Sequence, residues 1–226
     1  MPVITLSREL GSGGIAIAQD LVKRLSWKLI DKEVIVQAAQ MAKCSESQIE
    51  KFDQEQFDRM KVFFSDLVFP MSGRGIVYPF VSAGYMEPYW YPTPVTEPEG
   101  IDETKYLQLT KTVIQNLADE GNVIIVGRGG CVLLKDRSDT LHLRIIAPLE
   151  QRIRRLMETT QMDEPSAKQI LAKRDKASAD YLKHFYHVDW ADPLLYHLVI
   201  NTGMGSLQDA VELILAKLKL LSTNNP

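Results

Sequence analysis

No apolar run in this chain of 226 residues approaches the roughly eighteen that a membrane-crossing helix requires, so none is expected to span a bilayer. A basic excess is missing too: 26 Lys and Arg stand against 29 Asp and Glu, a net charge of −3. Chains that coat nucleic acid or an anionic membrane carry a basic field, and this one has none overall. Cysteine is scarce, and Cys44 and Cys131 match no zinc or redox spacing. His184, His187 and Asp189 straddle the expected end of a helix, so no metal site is expected there. The opening Met-Pro-Val-Ile-Thr-Leu-Ser-Arg-Glu lacks the basic and apolar stretches of a secretory leader. The expectation is a reduced, cytoplasmic chain whose partners are neither a membrane nor a nucleic-acid polymer. Its length and an apolar share of 45% suit one domain over 1–226. Nothing in the sequence sets an oligomeric state.

What is present is a strand–turn–helix rhythm. Val3 to Leu6 is an apolar run of strand length, and Gly11-Ser12-Gly13-Gly14 follows it. Ile15, Ala18, Leu21, Val22 and Leu25 then recur at helical spacing, and Trp27 to Ile30 reads as a second strand ending at Asp31. Tyr106, Thr110, Val113, Ile114 and Leu117 stripe a later helix that ends near Gly121. Strands are expected at Asn122–Val126, Leu141–Ala147 and His197–Asn201. Between the last two, Leu149, Ile153 and Leu156 predict the buried stripe of a helix introduced by Pro148, and a charged helix runs from about Pro165 to beyond Asp180. Leu207 to Leu221 closes the chain as an amphipathic helix. Five strands alternating with helices predict a three-layer α/β/α sandwich around a parallel sheet. One stretch breaks the rhythm: residues 70–100 hold six of the 11 prolines together with Tyr78, Phe80, Tyr85, Tyr89, Trp90 and Tyr91. It reads as an ordered excursion or lid, because proline at that density sustains neither a helix nor a central strand.

A glycine turn between a first strand and a first helix is where α/β proteins bind phosphate, since its N–H groups and the helix N-terminus converge on oxyanions. Two patterns compete for this one. G-x-G-x-x-G fits Gly11 and Gly13 with Ala16 in the last place and Asp31 as the distant acid. G-x-x-x-x-G-K-[ST] ends its glycines at Gly13, which puts Arg8 at the first glycine, Gly14 at the lysine and Ile15 at the hydroxyl.

Five segments in order decide between them: Ser7-Arg8-Glu9-Leu10-Gly11-Ser12-Gly13-Gly14, Asp31-Lys32-Glu33, Val126-Gly127-Arg128-Gly129-Gly130, Ile146-Ala147-Pro148-Leu149-Glu150, and Asp189-Trp190-Ala191-Asp192-Pro193 through Asn201-Thr202. Together they resemble the cytidylate kinase-like family, relatives of the P-loop nucleoside monophosphate kinases, over about residues 2–215. The resemblance implies a P-loop NTPase-like fold with a helical lid at about 158–185. It implies ATP with Mg²⁺ as donor and nucleotide substrates, CMP or dCMP as acceptor. Gly11, Ser12, Gly13 and Gly14 would hold the donor phosphates, with Arg8 a candidate for the charge that Gly14 lacks. Asp31 would open the monophosphate-binding segment, and Arg128 would grip the acceptor phosphate. Arg154 and Arg155 match paired arginines before the lid. Arg174 would neutralise the transferred group, and Asp175 would meet the acceptor sugar. Departures are equally specific: besides Gly14 and Ile15, Gly129 stands where cytidylate kinases carry an acid that reads cytosine, and Ser178 stands where a lid arginine is expected. A nucleotide-binding protein without kinase activity, and a P-loop kinase for another small metabolite, stay open beside the kinase reading.

Overall fold

The structure is a computed structural model, and the residues it describes are 1–30 and 103–224. Asp31, Cys44 and the excursion at 70–100 lie outside them. Among the described residues, β1 (Val3–Arg8) leads through the glycine turn into α1 (Gly14–Leu25) and β2 (Lys28–Ile30). Then come α2 (Glu103–Glu120), β3 (Val123–Val126), α3 (Gly130–Leu133) and β4 (Thr140–Ile146). After them follow α4 (Leu149–Thr160), α5 (Glu164–Tyr186), a 3₁₀ turn at Pro193–Leu195, β5 (Leu198–Asn201) and α6 (Leu207–Asn224). The strands form one sheet in the order β2-β3-β1-β4-β5, every pairing parallel. This is the expected three-layer α/β/α sandwich around a five-stranded parallel sheet.

The sheet is covered on both faces, so its inner strands are apolar throughout rather than alternating. Ile4 and Leu6 point to the face carrying α1 and α6, where they join Ile124, Leu143, Ile17 and Ile214. Val3 and Ile125 point the other way, against Ile114, Leu117 and Ala118 of α2. β1 sits at the centre, with Leu6 opposite Val126 on one side and Leu143 on the other. The turns that leave β1 and β3 therefore emerge side by side at the C-terminal edge.

Two helices cover that edge. Asp163 starts α5 by accepting a hydrogen bond from the Ser166 amide at 3.1 Å, with Pro165 in the first turn, where its missing N–H costs nothing. One part of α5 packs Ala167, Ile170 and Leu171 on Ile153 and Leu156 of α4. Its far end packs Tyr181 and Leu182 on Cys131, Trp190 and Tyr196. Arg174, Asp175 and Ser178 are left between these anchors. One expectation is corrected on α4: Leu149 does not join the buried stripe but is 47% exposed, and Arg152, at 5%, takes the inner face beside Ile153 and Leu156. The helix meets the molecule through a guanidinium with partners on two other segments, Glu9 and Leu10 after β1 and Asp175 on α5.

Candidate functional site

In open parallel sheets ligands bind beyond the carboxyl ends of strands, where connections diverge to opposite sides. The end of β1, flanked by β3 and β4, is such a place. A cleft of about 130 Å³ opens there, walled by Ser7 and Arg8 of β1, Arg128 of the turn after β3, Arg174 and Asp175 of α5, and Trp190.

The glycine turn follows directly on Leu10, which lines the cleft. Gly11 and Gly13 have φ of +75° and +84°, a region that costs an L side chain about 1–2 kcal/mol. Space is short as well: a Cβ on Gly11 would stand 2.9 Å from the carbonyl oxygen of Arg152. The turn is held from behind through its carbonyls. Arg152 Nε donates to Leu10 O at 2.6 Å, Arg155 Nη1 to Gly11 O at 3.2 Å, and Thr202 Oγ1 to Ser12 O at 2.7 Å. Because a trans peptide sets N–H and C=O on opposite sides, the Gly11 and Gly13 N–H groups point away from the side chains that hold the Leu10 and Ser12 carbonyls. Ser12 is fully buried, and its hydroxyl has no hydrogen-bond partner among the described residues.

The opposite wall is the turn after β3. Gly127, Arg128 and Gly129 follow one another at φ of 73°, 55° and 72°. A non-glycine residue in the left-handed region persists only where its surroundings impose it, and such positions cluster at functional sites. Arg128 is also 7% exposed, which is unusual for an arginine. The ring of Tyr186 lies over Gly129, with a carbon 2.4 Å from where a Cβ would stand, and its hydroxyl reaches the Arg128 carbonyl at 3.4 Å.

The structure thus brings together Arg8, Arg128, Arg174 and Asp175 in the cleft, while Gly11 to Gly14 follow Leu10 of its wall and do not line it themselves. It does not bring all the α4 arginines to the cleft. Arg154 is exposed, two residues from Arg152 and hence on the opposite side of the helix. Arg155 directs its guanidinium to Gly11 O and to Thr202, whose Oγ1 lies 3.0 Å away.

Three charged residues were missed by sequence reasoning. Glu9 lies 3.3 Å from Arg152 Nη1 and 3.7 Å from Arg144 Nη2, and accepts from the Ala147 amide at 3.2 Å. Arg152 continues to Asp175 at 2.6 Å, so one guanidinium ties α5 to the glycine turn and to the end of β1. Arg144 stacks over the Trp190 ring at 4.3 Å and donates to the Trp190 carbonyl. Trp190 Nε1 in turn donates to Ser7 Oγ at 2.6 Å in the cleft wall. The i, i+3 spacing of Arg152 and Arg155 was the available signal, since it sets both on one face with Leu156.

Beneath the cleft, Thr5 Oγ1 meets His142 Nδ1 at 2.7 Å, and the His142 ring stacks on His197 at 5.0 Å. Burial, and then the charge of His197, push the His142 imidazole down to about 4. Burial pushes the Cys131 thiol up to about 11 and raises the Tyr196 phenol as well. Asp189 and Asp192 cap their own turn, accepting from the Ala191 and Leu194 amides at 2.8 and 2.9 Å. Among the described residues no three His, Cys, Asp or Glu side chains converge to hold a metal, and no helix is long and apolar enough to cross a membrane.

The profile of the cytidylate kinase-like family matches residues 3–204. A cytidylate kinase of Methanopyrus kandleri is 30% identical over 118 residues, which cover 48% of this chain and 61% of that protein. A uronate isomerase of Corynebacterium glutamicum is 31% identical over 107 residues, 47% of this chain and 20% of that protein. The chain therefore spans about three-fifths of the first relative's length and a fifth of the second's. The crystal structure of an uncharacterized protein from Eubacterium ventriosum superposes with a TM-score of 0.63 at 19% identity, covering 97% of this chain and 99% of that one. That likeness is one of fold.

Proposed function

We propose a function from one premise: the chain belongs to the cytidylate kinase-like family, whose profile spans residues 3–204. On that premise it is a cytoplasmic phosphotransferase that moves the terminal phosphoryl group of ATP to a nucleoside monophosphate, CMP or dCMP. The observation that carries this reading is the meeting of Arg8, Arg128 and Arg174, from three separate segments, in one cleft at the ends of β1 and β3. Phosphoryl transfer asks for alignment and positive charge more than for covalent chemistry. The donor phosphates would lie against the N–H groups of Gly11 and Gly13, at the N-terminus of α1. Arg128 would take the acceptor phosphate, since a guanidinium fork accepts two oxygens and stays charged. Arg174 would stand between the two sites, and α5 would exclude water that otherwise hydrolyses the donor. Asp175 would face the acceptor sugar, and Asp31 would belong to the acceptor segment beyond β2. Arg155 supports the transfer at one remove, by holding the turn that holds the donor.

The residues around the turn do not make a magnesium site. Ile15 has no hydroxyl, Glu9 is engaged by two arginines, and Asp175 is engaged by Arg152. Magnesium belongs to this reading as the counter-ion of the donor's phosphates.

Gly14, Ile15 and Ser178 favour a second reading, nucleotide binding without transfer, because each lacks the cation or hydroxyl expected of it. Calorimetric titration of CMP and dCMP into wild type and Arg128→Ala tests the acceptor site. Loss of a charge-assisted fork should weaken binding about 10- to 150-fold. Equal affinities for the two proteins would overturn the assignment of Arg128.

A further inference from the structure

We propose that the Arg8 side chain replaces the lysine that P-loops carry after their last glycine, and that residue 14 must be glycine because Arg8 lies across it. The proposal rests on the phosphotransferase reading of the glycine turn.

P-loops place a lysine directly after the last glycine, and its ammonium reaches the β- and γ-phosphates. Here that position is Gly14, the first residue of α1. Ile4, Leu6 and Arg8 occupy alternate positions of β1 and so share the face that α1 covers. Ile4 and Leu6 are absorbed in the apolar core, but Arg8 is the last residue of the strand and meets the start of the helix instead. A Cβ built on Gly14 would stand 2.9 Å from Arg8 Cβ and 3.1 Å from Arg8 Cδ, with Ile145 Cβ 3.4 Å away on the third side. The arginine's stem thus fills the space through which a lysine stem would leave the backbone. A side chain at 14 and this placement of Arg8 exclude each other.

The charge of Arg8 is also left for a ligand. Its Nε is buried with no hydrogen-bond partner among the described residues, and the residue lines the cleft with Arg128 and Arg174. The carboxylate beside it in sequence, Glu9, is turned to Arg144 and Arg152, and Asp175 is also bound to Arg152. A buried cationic N–H without an acceptor is unfavourable, and oxyanions of a polyphosphate chain at the glycine turn would supply one. The loop has moved its cation from the helix to the strand.

Four proteins test this: wild type, Arg8→Met, Gly14→Lys and the double variant Arg8→Ala/Gly14→Lys. Each is titrated calorimetrically with ATP and with inorganic tripolyphosphate, and melted without ligand. Arg8→Met keeps an apolar stem and loses the charge, so it should melt close to wild type and bind both probes about 10- to 100-fold more weakly. Gly14→Lys should melt well below wild type, because the new stem meets Arg8. The double variant should regain that melting temperature and bind tripolyphosphate at least tenfold more tightly than Arg8→Met. Wild-type binding with Arg8→Met unchanged overturns the role of Arg8 and leaves the kinase reading standing. Gly14→Lys as stable as wild type overturns the mutual exclusion. A wild type that binds neither probe overturns both the proposal and the phosphotransferase reading on which it rests.

Discussion

Replacing Arg152 by Met keeps much of the apolar stem and removes the guanidinium that joins three parts of the molecule. Arg152 is 5% exposed, so its partners lose a contact that water does not readily replace. Three interactions go: Leu10 O at 2.6 Å, Asp175 at 2.6 Å and Glu9 at 3.3 Å. Removing one partner of a buried pair typically costs about 3–5 kcal/mol. The losses here are unequal. Glu9 keeps Arg144 and the Ala147 amide, and the Asp175 side chain is 27% exposed and can hydrate. The expected cost is therefore at the lower end, about 3 kcal/mol. For a chain of this length that corresponds to a fall in Tm of roughly 6–12 °C. Urea unfolding followed by far-UV circular dichroism measures it, with exposed Arg154→Met as the control, expected within about 0.5 kcal/mol of wild type. An Arg152→Met protein no less stable than the Arg154→Met control would refute the view that this guanidinium pins the turn and α5 together.

Three further outcomes follow from the same geometry. His142 titrates near 4 in the folded protein and near 6.5 when unfolded, so the unfolded chain takes up the proton first as pH falls. Its contribution to stability is complete above about pH 6.5 and is lost as pH falls toward 4. Between pH 7 and pH 5 this amounts to about 2 kcal/mol, and urea unfolding of His142→Gln should show that much less pH dependence than wild type. Gly11→Ala meets both a φ of +75° and a carbonyl oxygen at 2.9 Å, whereas Gly127→Ala meets only a φ of +73° with nothing within 4 Å. Gly127→Ala should cost about 1–2 kcal/mol in chemical unfolding and Gly11→Ala clearly more; the reverse order would contradict the packing of Arg152 on the turn. In a Cys44→Ser background, the buried Cys131 thiol should resist an aromatic disulfide reagent at pH 8 until denaturant is added, and rapid native labelling would place it elsewhere.

The layers of the fold were legible because each strand is a short, largely apolar run soon followed in sequence by glycine, proline or charged residues. β3 and β5 begin within a residue of their expected starts, and β2 begins at Lys28 rather than Trp27. Strand order was not legible, since no periodicity records that β3 slips between β1 and β2. The two glycine turns were visible as composition, and their juxtaposition follows from the central place of β1. Side-chain roles on α4 were less accessible. Leu149 looks like core and is exposed, while Arg152 looks like surface and is buried, because burial there is decided by Glu9 and Asp175 on other segments. Arg155 shows the same limit: its type suggests a phosphate, and its partners are the carbonyl of Gly11 and Thr202. The placement of Arg8 over Gly14 depends on where a strand ends beneath a helix, which no linear motif encodes.

The most direct test is a coupled phosphoryl-transfer assay with ATP and Mg²⁺ against CMP, dCMP, UMP, AMP and GMP. The account predicts nucleoside diphosphate formed from CMP or dCMP, abolished in Arg128→Ala. ATP binding without turnover on any of the five would contradict the kinase reading and leave a nucleotide-binding protein.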